Sequence, residues 1–189
     1  AVLSNKAWAN YLLGCIAQFI HRGIQPQQGY DMLFWGNVPA GAGLSSSAAM
    51  EVVTACAFNE LLHTGYDRTE LAKIGQAAEH EFAGVMCGIM DQFASAQGKK
   101  DHAIFLNCDT MQFSLVPVKL EGIKVVIANT HSPHHLDSGA YNDRVKQCHL
   151  AVEQLSTVRP IQYLAELAQA DFEQVESAIT DPVAHRRAR

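Results

Sequence analysis

Residues 39–50 carry the residue types of a phosphate-binding loop. The segment reads Pro-Ala-Gly-Ala-Gly-Leu-Ser-Ser-Ser-Ala-Ala-Met, so glycines precede hydroxyl side chains and then a run of good helix formers. Gly41 and Gly43 allow backbone angles that are closed to other residues, which lets backbone amides approach a ligand. The first amides of the following helix have no partners within the helix and attract anions. The segment therefore predicts a cradle for phosphate groups.

The same segment also has a simpler interpretation, as an ordinary loop with a serine helix cap. It is not the lysine-containing Walker A loop, because no Lys follows the glycines and the spacing differs. The charge of a bound phosphate would therefore have to be neutralised from elsewhere. We expect a metal ion held by a serine hydroxyl and a carboxylate that is distant in sequence.

Two carboxylates further along the chain are candidates for this chemistry. Glu79 begins a Glu-His-Glu sequence, and Asp91 lies between Met90 and Gln92 in an apolar segment. Each has a simpler interpretation, because a helical Glu usually faces solvent and an Asp after a Gly often caps the next helix. Burial of the Asp91 carboxylate among Ile89, Met90 and Phe93 would cost free energy unless a cation or a donor compensated it. We expect Asp91 to be such a buried carboxylate.

The spacing of apolar residues predicts the elements that position these groups. It indicates an amphipathic helix ending near Arg22, a second helix from about Ser45, and a third helix that is capped by Asp67 and delivers Glu79. Helical spacing returns from Val145 and continues to about residue 179, with a break at Pro160. β-rich runs predict strands at residues 30–35, 104–106, 113–118 and 124–128.

Trp8 and the histidine-rich segment at residues 131–135 each allow a structural and a functional interpretation. Trp8 either packs in the core or lines a pocket for a nucleotide base, and packing is the commoner role of such a residue. His131, His134 and His135 might suggest a metal site, but Pro133 and the lack of helical pairing favour a surface loop.

The composition of the chain limits the classes of protein and partner that fit it. With 189 residues, of which 48% are hydrophobic, the chain can bury a sizeable core. A net charge of -5 gives no general field for nucleic acid or an anionic membrane, so we expect neither as a partner. The most apolar stretch is too short to cross a bilayer. The 5 cysteines form no Cys-x-x-Cys pair, which indicates reduced thiols and a cytoplasmic location.

Three segments together resemble the galactokinases, within the GHMP superfamily of small-molecule kinases. They are residues 39–49, 79–95 and 141–148. The glycine-serine loop alone indicates only the superfamily. The sequence Cys-Gly-Ile-Met-Asp-Gln-Phe around Asp91, together with Ala-Glu-His at Glu79, is much more specific to galactokinases and their close relatives. The Trp-Ala-Asn-Tyr sequence that begins at Trp8 fits as well.

The resemblance implies roles for individual residues. Ser47 and Glu79 would hold Mg²⁺, and Asp91 would be the base for the anomeric hydroxyl of galactose. Gly88 and Tyr141 would contact the sugar together with Asp91. The implied ATP-binding residues are Pro39, Gly41, Ala42, Gly43, Leu44, Ser45, Ser46, Ser47, Ala48 and Trp8.

The resemblance also implies the architecture, an α+β fold of the GHMP kinase type. Residues 1–118 would belong to an N-terminal domain with a mixed sheet, and residues 119–189 would begin a ferredoxin-like C-terminal domain. The active site would lie between these domains. The protein would use ATP and Mg²⁺, act on galactose and be a monomer. The rival interpretations are a related sugar kinase, such as a galactosamine kinase, a catalytically silent sensor of galactose and ATP, and a folded domain without a site.

The chain also departs from the family pattern. The N-terminal sugar-binding motif, which carries an arginine and acidic sugar contacts, is absent, and so is the glycine-rich third motif. Gly139 and Ala140 replace the serine and acidic residue that usually precede Tyr141. The chain does not begin with Met, and we expect it to be the middle of a longer protein. We therefore expect that it does not phosphorylate galactose by itself.

Overall fold

A computed structural model describes residues 8–129 and 138–189. The chain divides into two compact units, Ala1–His135 and Leu136–Arg189. The predicted histidine loop at residues 131–135 lies outside the described residues. The predicted domain boundary after residue 118 stays a prediction. Among the described residues, no helix combines the length and the apolar character that crossing a bilayer requires.

Helices dominate the first unit. They are α1 (Ala9–His21), α2 (Ser46–Leu61), α3 (Arg68–Ala78) and α4 (Met90–Gln97), and a wide π-helical turn, Glu79–Ala83, continues α3. Helix α3 packs against α1, α2 and α4. Its buried side chains join a core that contains Phe19, Phe58 and Ile74. A second cluster, around Val52 and Phe93, lies where α2 and α4 meet.

The predicted helix boundaries of the first unit are confirmed. Arg22 caps α1, and Gly23 follows with φ +82°, a left-handed angle that favours glycine. Asp67 caps α3, because its side chain accepts a hydrogen bond from the Glu70 amide at 2.9 Å. The sequence predicted these helix boundaries correctly because each cap is formed by residues that are close together in the chain.

An antiparallel hairpin forms the sheet of the first unit. Strands β1 (His102–Leu106) and β2 (Phe113–Pro117) pair with Ile104 opposite Leu115. Two other predicted strands, at residues 30–35 and 124–128, are wrong, because the structure assigns no strand to either segment. A strand needs a neighbour to pair its backbone groups, and neither segment has one among the described residues. Most of their side chains are exposed, with Leu33 at 97% and Val126 at 84%, although Tyr30 packs against Phe58.

The second unit consists of helices and short turns. It contains α5 (Ser138–Ser156), α6 (Gln169–Val175) and α7 (Pro182–Ala188). A small core forms from Leu155, Phe172 and Ile179 together with the small residues Ala151 and Ala184. Helix α5 ends before Pro160, so the predicted break is confirmed. Asp181 caps α7 by accepting hydrogen bonds from the Val183 and Ala184 amides.

Candidate functional site

The glycine-serine loop leads into α2 through left-handed backbone angles. Gly41 has φ +69°, Gly43 has φ +70° and Ser45 has φ +57°. Only glycine adopts such angles without strain, so the two glycines explain how the loop turns here. Ser45 precedes α2 but makes no capping hydrogen bond through its side chain. Ser45 therefore occupies the cap position, but its side chain leaves the first amides of α2 unsatisfied.

The loop is open on its outer side. A Cβ atom added at Gly41 or Gly43 would meet no heavy atom within 4 Å. Among the implied ATP-binding residues, Pro39, Gly41, Gly43 and Leu44 are exposed, whereas Ala48 is fully buried in the packing of α2. The side chain of Ala48 is therefore not available to a ligand. Ser45, Ser46 and Ser47 at the start of α2 are only partly buried, so their backbone amides are candidates for binding an anion such as phosphate.

Ser47 and Glu79 lie in contact although they are far apart in sequence. The Ser47 side chain lies close enough to the Glu79 carboxylate for hydrogen bonding between them to lower the Glu79 pKa. Ser47 lies in the first turn of α2, and Glu79 begins the π-helical turn after α3. Glu79 is only 4% exposed, so it is not the solvent-facing helical Glu of the simpler interpretation.

A buried amide connects Glu79 to a second carboxylate. The Gln92 Nε2 atom donates to Glu79 Oε2 at 2.7 Å and to Glu51 Oε2 at 2.9 Å. The Cys87 thiol donates to the same Glu79 oxygen at 3.3 Å. Glu51 and Gln92 are both 0% exposed. We name the row Glu51, Gln92 and Glu79 the carboxylate bridge.

Sequence reasoning did not identify Glu51 or Gln92 as members of the site. Glu51 directly follows the glycine-serine segment at residues 39–50. A signal was nevertheless present, because Glu51 shares a helical face with Ala55 and Phe58, which are buried. A charged residue on an otherwise apolar helical face needs a hydrogen-bond donor or an opposite charge when it is buried, so Glu51 could have been predicted to contact another polar group.

Gly75 of α3 makes room for the carboxylate bridge. A Cβ atom at this position would lie 3.1 Å from the Glu51 Cβ and 3.2 Å from the Gln92 Cγ. Both distances are tighter than ordinary contacts, so the absent side chain allows α2 and α4 to approach α3 closely. The positions of Glu51 and Gln92 therefore depend on the close packing of α2 and α4 against α3 at Gly75.

Asp91 lies beside these groups but is not fully buried. It occupies the first turn of α4 and is partly exposed. The expectation of a buried carboxylate is corrected here: Ile89 and Phe93 are buried, but Asp91 is partly exposed and Met90 beside it is 68% exposed. Asp91 is close enough for its charge to raise the pKa of Glu79. Among the described residues, no ion pair joins a cation to Asp91, Glu51 or Glu79.

Burial and mutual repulsion shift the pKa values of this cluster. Burial raises the pKa of Glu51 to about 8, and the charge of Glu79 adds to the effect. Burial also raises the pKa of Glu79, although hydrogen bonds from Cys87, Gln92 and Ser47 oppose that shift. The Cys87 pKa is raised to about 12, so this thiol is protonated and donates. The site therefore concentrates carboxylates that a cation would stabilise.

The donors in contact suit magnesium. Ser47 supplies a hydroxyl oxygen and Glu79 a carboxylate oxygen, which are hard ligands of the type that Mg²⁺ prefers. Within residues 8–129 and 138–189, no group of three or more His, Cys, Asp or Glu side chains could hold a metal ion. Mg²⁺ commonly takes only one or two protein ligands and completes its shell with water and substrate phosphates. The residues present therefore fit this ion.

The remaining candidate residues are distributed over both units. Trp8 precedes α1 and is 59% exposed, so it is not a core residue of the first unit. Gly88 is exposed in the segment before α4. Tyr141 belongs to α5 in the second unit and is 42% exposed. The roles implied for these three residues stay predictions.

Glu51 is expected to make the free energy of unfolding fall with increasing pH. Its folded pKa of about 8 exceeds the ordinary value of 4.5, so the folded chain keeps a proton that the unfolded chain releases in this range. The stabilisation is complete below pH 4.5 and is lost as the pH rises to about 8. The slope from one such group reaches at most about 1.4 kcal/mol per pH unit. The titratable groups around it are Glu79, Asp91, Cys15, Tyr11 and Cys87.

The measurement is urea unfolding of the wild type and Glu51→Gln across this pH range. Glu51→Gln should flatten the decline in stability, because the amide does not titrate. Glu60→Gln serves as the matched control, since Glu60 is exposed on the same helix. Equal pH dependence in all three proteins would contradict the prediction.

Comparison with known proteins supports a kinase relationship. Residues 10–99 match the family described as GHMP kinases N terminal domain. The galactokinase of Clostridium acetobutylicum is 44% identical over 182 residues, which is 96% of this chain and 47% of that protein. The galactokinase of Fusobacterium nucleatum is 46% identical with the same coverage. The chain thus spans about half the length of the curated relatives it matches.

A solved structure agrees with this relationship. The crystal structure of Lactococcus lactis galactokinase complexed with galactose matches 98% of this chain and 48% of that protein, with a TM-score of 0.87 and 32% identity. The resemblance stated from the sequence is therefore confirmed, as is the α+β fold class of the GHMP kinase type. Residues 10–99 of the chain are thus similar to the N-terminal domain of the GHMP kinases.

Proposed function

We propose that the protein containing this chain transfers the γ-phosphoryl group of ATP to the anomeric oxygen of galactose. The observation that carries the proposal is the contact between Ser47 and Glu79 beside Asp91. These are the three residues that the galactokinase resemblance assigns to the metal and to the base. The galactokinase relatives and the GHMP kinase domain match support the same reaction class.

Each element of the site has a defined task in this proposal. The glycine-serine loop and the first amides of α2 bind the phosphates of ATP. Ser47 and Glu79 hold Mg²⁺, which when bound offsets the charge of the phosphate groups. Asp91 accepts the proton of the anomeric hydroxyl, so that the sugar oxygen can attack the γ-phosphate. Phosphoryl transfer requires mainly positioning and charge stabilisation, and these side chains provide both.

The test is a coupled assay of ADP formation by the intact protein with galactose and ATP. Galactose-dependent ADP release, together with galactose 1-phosphate as the product, would support the proposal. A preference for galactosamine would indicate another sugar kinase of the superfamily. Binding of galactose and ATP without turnover would instead indicate a sensor. Either of these outcomes would overturn the assignment as a galactokinase.

The 189-residue chain alone is expected to show no galactose-dependent turnover. It spans about half the length of its galactokinase relatives, and no cation pairs with Asp91 among the described residues. The same assay, run on the chain and on the intact protein at equal concentration, measures the difference. Equal turnover would contradict the expectation.

Two further features belong to the proposal. We place the protein in the cytoplasm, which agrees with free thiols at Cys15, Cys56, Cys87, Cys108 and Cys148. We also propose that the N-terminal domain ends near residue 118 and that the protein acts as a monomer.

A further inference from the structure

The carboxylate bridge has an unusual chemical composition for a protein interior. Glu51 and Gln92 are 0% exposed and Glu79 is 4% exposed. The Gln92 Nε2 atom donates to one carboxylate oxygen of Glu51 and one of Glu79. Two oxygens of the bridge, Glu51 Oε1 and Gln92 Oε1, are buried without a hydrogen-bond partner. A buried polar atom without a partner costs free energy.

This cost argues against a purely structural role. Where packing alone is required, apolar side chains of similar volume often stabilise a core at least as well as buried polar groups. Glu51 lies in α2, Gln92 in α4 and Glu79 at the end of α3, so the bridge crosses three packed helices. An apolar replacement would have joined these helices without leaving unpaired oxygens. The bridge therefore calls for a role that an apolar side chain cannot fill.

The hydrogen bonds of the bridge fix one oxygen of Glu79. Gln92 Nε2 and Cys87 Sγ both donate to Oε2, at 2.7 Å and 3.3 Å. The Glu79 carbonyl oxygen also accepts a hydrogen bond from the Val85 amide at 3.2 Å. Both the backbone and the side chain of Glu79 are thus held, and Ser47 contacts the carboxylate so restrained.

We propose that Gln92, anchored on Glu51, is a positioning residue that orients the Glu79 carboxylate toward Mg²⁺. This inference rests on the proposed function, because the magnesium site is part of it. Gln92 does not touch the metal or the substrates in this proposal. It acts through Glu79, as outer partners of metal ligands commonly do.

The test compares ATP binding with and without Mg²⁺ in the intact protein. Gln92→Met keeps the length and most of the volume of the side chain but removes the donor. The Kd of ATP in excess chelator should not change, because Gln92 lies outside the phosphate loop. The gain in affinity that Mg²⁺ provides should fall about tenfold, which is typical of losing an outer partner of a metal ligand.

A matched control comes from the same helix. The Gln97 amide donates to Thr69 Oγ1 at 3.2 Å and does not contact Glu79. Gln97→Met therefore removes an amide hydrogen bond between α4 and the start of α3 without touching the bridge. The Mg²⁺-dependent gain in ATP affinity should be the same in this variant as in the wild type.

The outcomes separate this inference from the proposed function. A lower melting temperature for Gln92→Met with an unchanged Mg²⁺-dependent gain would show a structural role only and overturn the inference alone. A wild-type protein without Mg²⁺-dependent ATP binding would overturn the proposed function and the inference with it. If Gln92→Met does not fold, Gln92→Asn replaces it. The shorter amide should also reduce the gain, and an unchanged gain would overturn the inference.

Discussion

Replacing Asp91 with asparagine is expected to lower kcat for galactose phosphorylation by about 10²- to 10⁴-fold in the intact protein. Asparagine keeps the size of the side chain but cannot accept the proton of the sugar hydroxyl. The Kd of MgATP should change little, because Asp91 is not among the residues proposed to bind the nucleotide. The measurement is steady-state turnover, with nucleotide binding determined separately.

The control for Asp91→Asn is Asp109→Asn. Asp109 is exposed in the turn between β1 and β2, outside the proposed site. This variant should retain wild-type kcat. Asp91→Asn also removes a negative charge that raises the pKa of Glu79 and Glu51, so the folded state should not lose stability. Full turnover by Asp91→Asn would remove Asp91 from the role of base.

Replacing Glu79 with glutamine is expected to reduce kcat/KM for MgATP by about 100-fold or more. Loss of an outer partner already costs 10- to 100-fold in metal affinity, and Glu79 is proposed as a ligand itself. The Mg²⁺ concentration for half-maximal activity should rise as well. A glutamine can still present an acceptor oxygen to Gln92, so the packing of the three helices should survive. Titration of activity with Mg²⁺ at constant ATP measures the effect.

Glu81→Gln is the matched control for Glu79→Gln. Glu81 lies in the same π-helical turn, but its side chain is half-exposed and pairs with His21 at 3.7 Å. It should leave the Mg²⁺ dependence unchanged. Glu79→Gln with a normal Mg²⁺ requirement would show that the metal is held elsewhere.

Local sequence signals predicted the parts of the fold that depend on neighbouring residues. The Asp67 cap, the end of α1 at Arg22 and the start of α2 after the glycine loop all follow from contacts within a few positions. The strands predicted at residues 30–35 and 124–128 were wrong because strand formation depends on residues that are distant in sequence. Their β propensity is real, but a strand also needs a partner that propensity does not specify.

The sequence predicted the individual residues of the candidate site but not how they meet. Motif resemblance proposed Ser47, Glu79 and Asp91 individually, but no spacing in the sequence brings them together. Gln92 and Glu51 are 41 positions apart and meet because α2, α3 and α4 pack against one another. The close approach at Gly75 that permits this contact depends on how the three helices pack, which the local pattern does not determine.

The wide turn at Glu79–Ala83 affects the entropy cost of metal binding by Glu79. The Glu79 carbonyl receives the amides of both Gly84 and Val85, while Gln92 and Cys87 restrain the carboxylate. A side chain that is already immobilised loses little rotamer entropy when it binds an ion. Coordination by Glu79 should therefore carry a smaller entropic penalty than coordination by a freely rotating surface glutamate.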